Sequence, residues 1–249
     1  MREERFQVIS DGLALSGILR TPDAEPWPLV VLCHGLLSYK NSAKYIEIGR
    51  VFSEAGIATI RFDFRGCGES EGAAGESTVS GRWRDLQQIA GHARGLPGFN
   101  GRLALLGSSL GGYLALLEAS RNPLIRCVSV WSTPSHLRDL ERRLLAAGSA
   151  SPLFLEDLRR QELLSHIEEV ERVLVIHGAE DELVAPFHAE AIFAAVREPK
   201  SIRIFPETDH RFTQNESRHR AVALSLEWFR RFLWESGTPR GADIGGGQD

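Results

Sequence analysis

The sequence predicts an α/β fold, a mostly parallel eight-stranded sheet with helices on both faces. Three observations carry that prediction. Short apolar or β-branched runs alternate with segments of helical period along most of the 249 residues, the order that βαβ units produce. Runs such as Leu29-Val30-Val31-Leu32-Cys33 are apolar at every position, as strands are when helices cover both faces. The chemically distinctive residues follow strand-like runs, where the crevice of such a sheet opens.

Residues 6–9 and 13–19 are the first two strands, and Asp11-Gly12 between them is a hairpin turn signal. They predict an antiparallel pair at one edge of the sheet. A proline-rich connector, 22–28, leads to the strand 29–33. Ala43, Tyr45, Ile48, Phe52 and Ala55 then recur at helical spacing, and Gly56 closes that helix. Residues 57–62 form the next strand, followed by a loop with two glycines and a small, polar surface stretch over 71–80. Trp83, Leu86, Ile89, Ala90 and Ala93 outline a second helix. A strand over 102–106, a helix over 113–119 and a strand over 125–131 come next.

Residues 134–169 break the alternation. They contain two helical pieces, 136–147 and 154–168, with apolar faces from Leu137, Leu140, Leu144 and Leu145 and from Phe154, Leu158 and Leu163. Regularity resumes with a strand over 172–177, a helix over 187–197 and a strand over 201–205. A last helix begins near Glu216, with Val222, Leu226, Phe229 and Leu233 as its buried stripe. Residues 1–236 thus read as one domain carrying 134–169 as a cap-like insertion. The Gly-rich 237–249 reads as a disordered tail.

Composition excludes several function classes. Hydrophobic residues at 43% are enough for a sizeable core, and a formal charge of −4 argues against a basic nucleic-acid-binding surface. No apolar run approaches the length of a membrane span. The charged start, Met1-Arg2-Glu3-Glu4-Arg5-Phe6, has no apolar signal segment after it, so the expectation is a cytoplasmic protein without membrane contact. Cys33, Cys67 and Cys127 are an odd number without metal-ligand spacing, which predicts reduced thiols. The eight histidines show no H-E-x-x-H or comparable cluster, so no metal and no cofactor is expected. The expected partner is a small molecule, with the chain a monomer or homodimer.

The centre of the chain is Gly107-x-Ser109-x-Gly111, between the apolar run 102–106 and a helix-forming segment. That context is the one a nucleophile elbow requires, because a serine on so tight a turn needs neighbours without bulk. Ser108 is the rival nucleophile, disfavoured because only Ser109 has glycines two positions away on both sides. A serine hydroxyl is a poor nucleophile until a base takes its proton, and an acid must orient that base. Asp181 and His210 follow in the order Ser, acid, His, each in a loop after a predicted strand. Glu180, Glu182 and Asp209 are rivals for the acid.

His34-Gly35, Asp63-x-Arg65-Gly66-x-Gly68-x-Ser70, Gly107-x-Ser109-x-Gly111-Gly112, His177-Gly178-x-x-Asp181-x-x-Val184 and Asp209-His210 occur in this order. In these motifs the chain resembles the α/β-hydrolase superfamily over about residues 6–235. The resemblance selects Asp181 as the acid, by its spacing after His177-Gly178. It implies that the backbone N–H groups of Leu36 and Leu110 form the oxyanion hole. Gly107, Gly111, His34 and Gly35 would then support the elbow and the oxyanion loop. His177 is expected to be structural, and Asp63 and Arg65 to fix loop geometry. Arg61-Phe62-Asp63-Phe64-Arg65-Gly66-x-Gly68-x-Ser70-Glu71-Gly72 is similar to small cap-bearing esterases of the feruloyl/cinnamoyl group. The resemblance implies a carboxylesterase working through an acyl-enzyme on Ser109, with thioesterase, peptidase and perhydrolase chemistry open to the same triad. A catalytically silent fold that binds a small ligand is the alternative from a different class.

The insertion's leucines are expected to wall an acyl or aromatic pocket. Arg138, Arg142, Arg143, Arg159 and Arg160 alternate with Asp139, Glu141, Glu156 and Asp157, which predicts a solvated, salt-bridged face. His92, His136, His166, His188 and His219 are expected on helices, facing solvent. Cys67, in its glycine-rich loop, is a weak candidate for a reactive thiol.

Overall fold

The computed structural model describes residues 1–147 and 151–234; the expected tail over 237–249 lies outside the described residues. The eight strands are β1 (Arg2–Ser10), β2 (Leu13–Thr21), β3 (Trp27–Cys33), β4 (Ala58–Phe62), β5 (Phe99–Ser108), β6 (Ile125–Trp131), β7 (Val173–Gly178) and β8 (Lys200–Phe205). They form one sheet in the order β1-β2-β4-β3-β5-β6-β7-β8. β1 pairs with β2, and β2 with β4, in antiparallel register; every later pairing is parallel. The edge hairpin turns through Asp11 (φ 49°) and Gly12 (φ 82°). Two consecutive left-handed residues match the right-handed twist of the paired strands.

Helices α1 (Ala43–Glu54), α2 (Val79–Ala93), α3 (Leu110–Arg121), α4 (Arg138–Ala147), α5 (Pro152–Arg159), α6 (Phe187–Ala195) and α7 (Asn215–Trp234) complete the described fold. Period-two alternation divides the strands between two cores. Leu29, Val31 and Leu105 pack toward α2, α3 and α6, while Val30, Leu32 and Leu106 pack toward α1 and α7. Burial on both faces is the reason that β3 and β4 carry no exposed residue.

The helix boundaries depart from the sequence pattern where caps decide them. α2 begins at Val79 rather than Trp83, because the Thr78 side chain accepts from the Gly81 N–H at 3.0 Å. α5 starts at Pro152 behind a Ser151 cap that accepts from Phe154 N–H at 3.2 Å. It ends at Arg159, and only a short 3₁₀ turn, Leu164–His166, follows. The single helix expected over 154–168 is therefore two pieces. Leu226 is half-buried, the stripe of α7 being Val222, Ser225, Trp228, Phe229 and Leu233. Leu137, Phe154, Leu158, Leu163, Ile167 and Val170 belong to the same apolar cluster as the sheet. The insertion is thus packed into the core and is no detachable lid. Its outer face carries the expected ion pairs, Arg142–Asp139, Arg159–Glu141 and Arg160–Glu156.

Two loops at the carboxyl ends of strands are pinned by buried charges. Arg65 Nε and Nη2 donate to Asp85 at 2.6–3.1 Å, and the Arg65 N–H donates to the same carboxylate at 2.9 Å. Asp63 accepts from the Lys40 N–H (2.6 Å), the Lys40 ammonium and the Glu69 N–H (2.9 Å). Asp63 and Arg65 fix loop geometry as expected. Their partners Lys40 and Asp85 carry no motif that marks them.

Asp85 is fully buried beside Arg65, so Asp85→Ala leaves a buried guanidinium without its main partner. The expected loss of stability is about 3–5 kcal/mol, measured by urea unfolding. A loss below about 1 kcal/mol, the level of a surface pair, would refute the pinning role.

Candidate active site

The site grows from the turn between β5 and α3. Ser109 has φ 56° and ψ −125°, a left-handed backbone that a non-glycine residue holds only when its surroundings impose it. The glycines show what imposes it. A Cβ on Gly107 would sit 2.3 Å from the Gly111 carbonyl oxygen, and one on Gly111 would sit 2.1 Å from that of Cys33. One on Gly112 would meet Thr133 Oγ1 at 1.9 Å. The first turn of α3 therefore lies directly against the ends of β3, β5 and β6. The Ser109 N–H donates to Trp131 O at 2.8 Å, tying the turn to β6.

The same packing brings the loop after β3 onto the serine. A Cβ on Gly35 would lie 3.2 Å from Ser109 Cβ and 3.8 Å from its Oγ. Leu36 follows directly, and Leu110 opens α3. Among the described residues, neither of their N–H groups donates to a backbone acceptor, so both are orphan donors beside Ser109. His34 holds this loop from below. Its Nε2 accepts from Phe64 N–H at 3.1 Å, so Nδ1 carries the proton and donates to Gly35 O at 2.7 Å. Burial lowers its pKa to about 4, consistent with that neutral tautomer.

Ser108 is differently placed. It is buried, and its hydroxyl accepts from Lys44 Nζ at 2.8 Å. Burial, with Arg218 nearby, lowers the Lys44 pKa to about 8. Lys44 carries no motif in the sequence and was not among the expected site residues.

Asp181 and His210 come from the loops after β7 and β8, strands on the same side of β5 as β6. His210 Nδ1 lies 2.9 Å from both Asp181 oxygens. The carboxylate also accepts from the N–H groups of Leu183 (2.9 Å) and Val184 (2.7 Å). His177 Nε2 donates to Val184 O at 2.8 Å and lies 3.3 Å from Asp181 Oδ2. Burial raises the Asp181 pKa, but the bonds from His177, His210 and Val184 outweigh it and hold the carboxyl well below its usual range. The structure thus brings Asp181 and His210 into direct contact and makes His177 a support of the acid. The rivals lie elsewhere. Asp209 accepts from Thr213 N–H and Oγ1 at 2.9 and 2.7 Å, closing its own turn. Glu182 accepts the His210 N–H at 3.2 Å, and Glu180 is exposed.

A cavity of about 600 Å³ opens within the insertion, lined by Leu137, Leu158, Leu163 and Leu164 together with Arg138 and Glu162. Its wall has the expected leucines but is mixed with charge, and none of Ser109, Asp181 and His210 lines it. The histidines depart from expectation more clearly. His166 and His219 are exposed, whereas His188 is buried, His136 is half-buried in the loop before α4, and His92 stacks on Phe6 at 4.6 Å. Cys67 is half-buried, with its Sγ accepting from Arg82 at 3.3 Å, and burial raises its pKa, so it is no activated thiol.

Comparison with known proteins agrees with this architecture. A family model described as serine aminopeptidase, S33, matches residues 24–147, a stretch that contains Ser109 but neither Asp181 nor His210. An uncharacterized 31.7 kDa protein of Escherichia coli is 34% identical over 122 residues, covering 48% of this chain and 42% of that protein. Human palmitoyl-protein thioesterase ABHD10, mitochondrial, is 39% identical over 97 residues, 39% of this chain and 30% of the human protein. The chain spans less than half the length of these curated relatives. Among solved structures, Est1E from Butyrivibrio proteoclasticus with ferulic acid bound superposes with a TM-score of 0.80 at 18% identity, covering 90% of this chain and 99% of that one.

Two measurements check the site's construction. Gly111→Ala, with its Cβ driven into a backbone carbonyl, is expected to abolish folding or remove several degrees of melting temperature. Gly91→Ala, where nothing lies within 4 Å, should be neutral or stabilising by up to about 1 kcal/mol; equal effects would refute the packing argument. The buried neutral His34 gives a second test. Below its ordinary value of 6.5 the unfolded chain takes up a proton that the folded chain refuses until about pH 4. Stability is therefore full above pH 6.5 and falls between 6.5 and 4, by an amount on the order of 3 kcal/mol from this group. Urea unfolding across that window should show a shallower slope in His34→Gln; an unchanged slope would contradict it.

Proposed function

We propose that this chain, which belongs to the α/β-hydrolase superfamily, is a serine hydrolase that cleaves a carboxylic ester through an acyl-enzyme. The observation that carries the reading is the Asp181–His210 pair at 2.9 Å, set after strands of the same sheet edge that presents the strained Ser109. Asp181 accepts the hydrogen bond of Nδ1–H, which keeps the proton on that nitrogen and leaves Nε2 of His210 as the base. Ser109 Oγ gives its proton to Nε2 and bonds to the acyl carbon. The N–H groups of Leu36 and Leu110 receive the oxyanion, where each preorganised donor is worth about 2.7–4 kcal/mol of barrier. Collapse breaks the ester bond, and His210 returns its proton to the leaving alkoxide. Water then repeats the sequence on the acyl-serine, releasing the acid and restoring Ser109.

In this reading the acyl pocket is sought in the insertion over 134–169, whose cavity is lined by Leu137, Leu158 and Leu163 but by none of Ser109, Asp181 and His210. The name of the human relative, a palmitoyl-protein thioesterase, supports a second reading in which the leaving group is a thiol. The same residues serve both, since only the leaving atom changes. Ferulic acid in the structurally similar Est1E makes aromatic esters part of the substrate panel.

The test is hydrolysis of p-nitrophenyl esters from acetate to octanoate, methyl ferulate and a palmitoyl thioester, by wild type and Ser109→Ala. Activity is expected on at least one substrate and should fall by roughly four orders of magnitude or more in the variant. Retention within tenfold would remove Ser109 from the mechanism. Inactivity of the wild type on the whole panel, with a small ligand still raising the melting temperature, would favour a silent binding protein.

A further inference from the structure

Two histidines expected at the surface are gathered instead around an aspartate, outside the Ser109 site. His136 lies in the loop between β6 and α4, Asp139 in the first turn of α4, and His188 in the first turn of α6. One ligand-capable atom of each lies within 4.8 Å of the other two. His188 is 1% exposed, with Nε2 3.3 Å from Asp139 Oδ2. Its Nδ1 faces Ser135, 2.9 Å from Oγ and 3.2 Å from the backbone N–H. The His136 ring meets that of His188 edge-on with centroids 4.7 Å apart, and its own Nδ1 is buried without a hydrogen-bond partner. Arg142 takes Asp139 Oδ1 at 3.2 Å, which leaves Oδ2 turned toward the histidines.

We propose that His136, Asp139 and His188 bind a divalent transition metal of the zinc class, and that the metal clamps α4 onto α6. Two imidazole nitrogens and one carboxylate oxygen form a ligand set that zinc takes with water in the fourth position. Donor atoms around a tetrahedral zinc lie about 3.3 Å apart, so modest side-chain rotations close the present cluster. A ligating histidine must be neutral.

The hydrogen-bonding of His188 explains how the site switches from empty to loaded. Without metal, Nδ1 accepts from the Ser135 N–H, and Nε2–H points to Asp139. Loading requires the Nε2 proton to move to Nδ1, where Ser135 Oγ accepts it and the Ser135 N–H gives up Nδ1 as its acceptor; the Nε2 lone pair is then free for the ion. Such a bond on the far nitrogen is what orients metal-bound histidines. His136 also lines the 600 Å³ cavity, which gives an ion a route from solvent. Arg138 and Arg159 border that cavity, but so do Glu141 and Glu162, and Arg159 is paired with Glu141 at 2.6 Å. His136 and Asp139 lie three residues apart but His188 comes from a distant segment, so the expectation of no metal drawn from spacing does not bear on this cluster.

The experiment uses the full chain, stripped with chelator and titrated with Co²⁺, whose visible d–d bands report nitrogen and oxygen ligation. Expected are saturable bands at one cobalt per chain, their loss on adding Zn²⁺, and a melting temperature that climbs with free metal. His136→Ala and Asp139→Asn each remove a ligand at a half-buried position. Each is expected to weaken cobalt binding at least about tenfold while melting cooperatively without metal; should one fail to fold, the other decides. Absence of bands and of any thermal shift would overturn the proposal. Undiminished affinity in the folded variants would also overturn it, by placing the ion on other side chains. Bands without a thermal shift would overturn the clamp.

Discussion

The contact on which this structure depends is the approach of the first turn of α3 to the end of β3. Gly111 lies so close to the Cys33 and His34 carbonyls that a Cβ would stand 2.1 and 2.5 Å from them. That approach fixes three things together. It forces Ser109 into φ 56°, it sets Gly35 against the serine, and, among the described residues, it leaves the Leu36 and Leu110 N–H groups without a backbone acceptor. The strain at Ser109 is offset by the packing of α3 into the core on one face of the sheet. The turn is held by the whole domain rather than by its own residues.

A parallel sheet buried on both faces places its polar loops where water is scarce, and the loops answer with buried charge. Asp63 satisfies the Lys40 ammonium and two backbone N–H groups. Asp85 does the same for Arg65. Asp181 follows this logic at the opposite end of the sheet, taking the Leu183 and Val184 N–H groups as well as His210 and His177. An acid held so firmly stays ionised, and an ionised acid keeps the histidine proton on Nδ1. The loop chemistry and the proposed catalytic chemistry therefore have one cause.

The insertion belongs to this arrangement more than its position between β6 and β7 suggests. Phe154, Leu158 and Leu163 are part of the main core, while its charged face is neutralised in pairs. Its entry loop carries His136 over the start of α6, where His188 is buried. The cap, the core and the histidine cluster share one boundary. A change in the cluster therefore acts on the base of the insertion rather than on a free flap.

The sequence alone determined the features that depend on local spacing. Alternating apolar runs marked every strand, Asp11-Gly12 marked the edge hairpin, and the glycines around Ser109 marked the strained turn. In each case the requirement is local: a period, a left-handed φ or a missing Cβ. Ser, Asp and His were legible as an order, because each followed a strand. Tertiary structure decided whatever required two distant segments to meet. It paired Lys40 with Asp63 and Arg65 with Asp85, gave Ser108 to Lys44, and drew His136 and His188 inward around Asp139. No periodicity encodes those partners, since a buried charge or imidazole is defined by what packs over it, and the chain supplies that from far away.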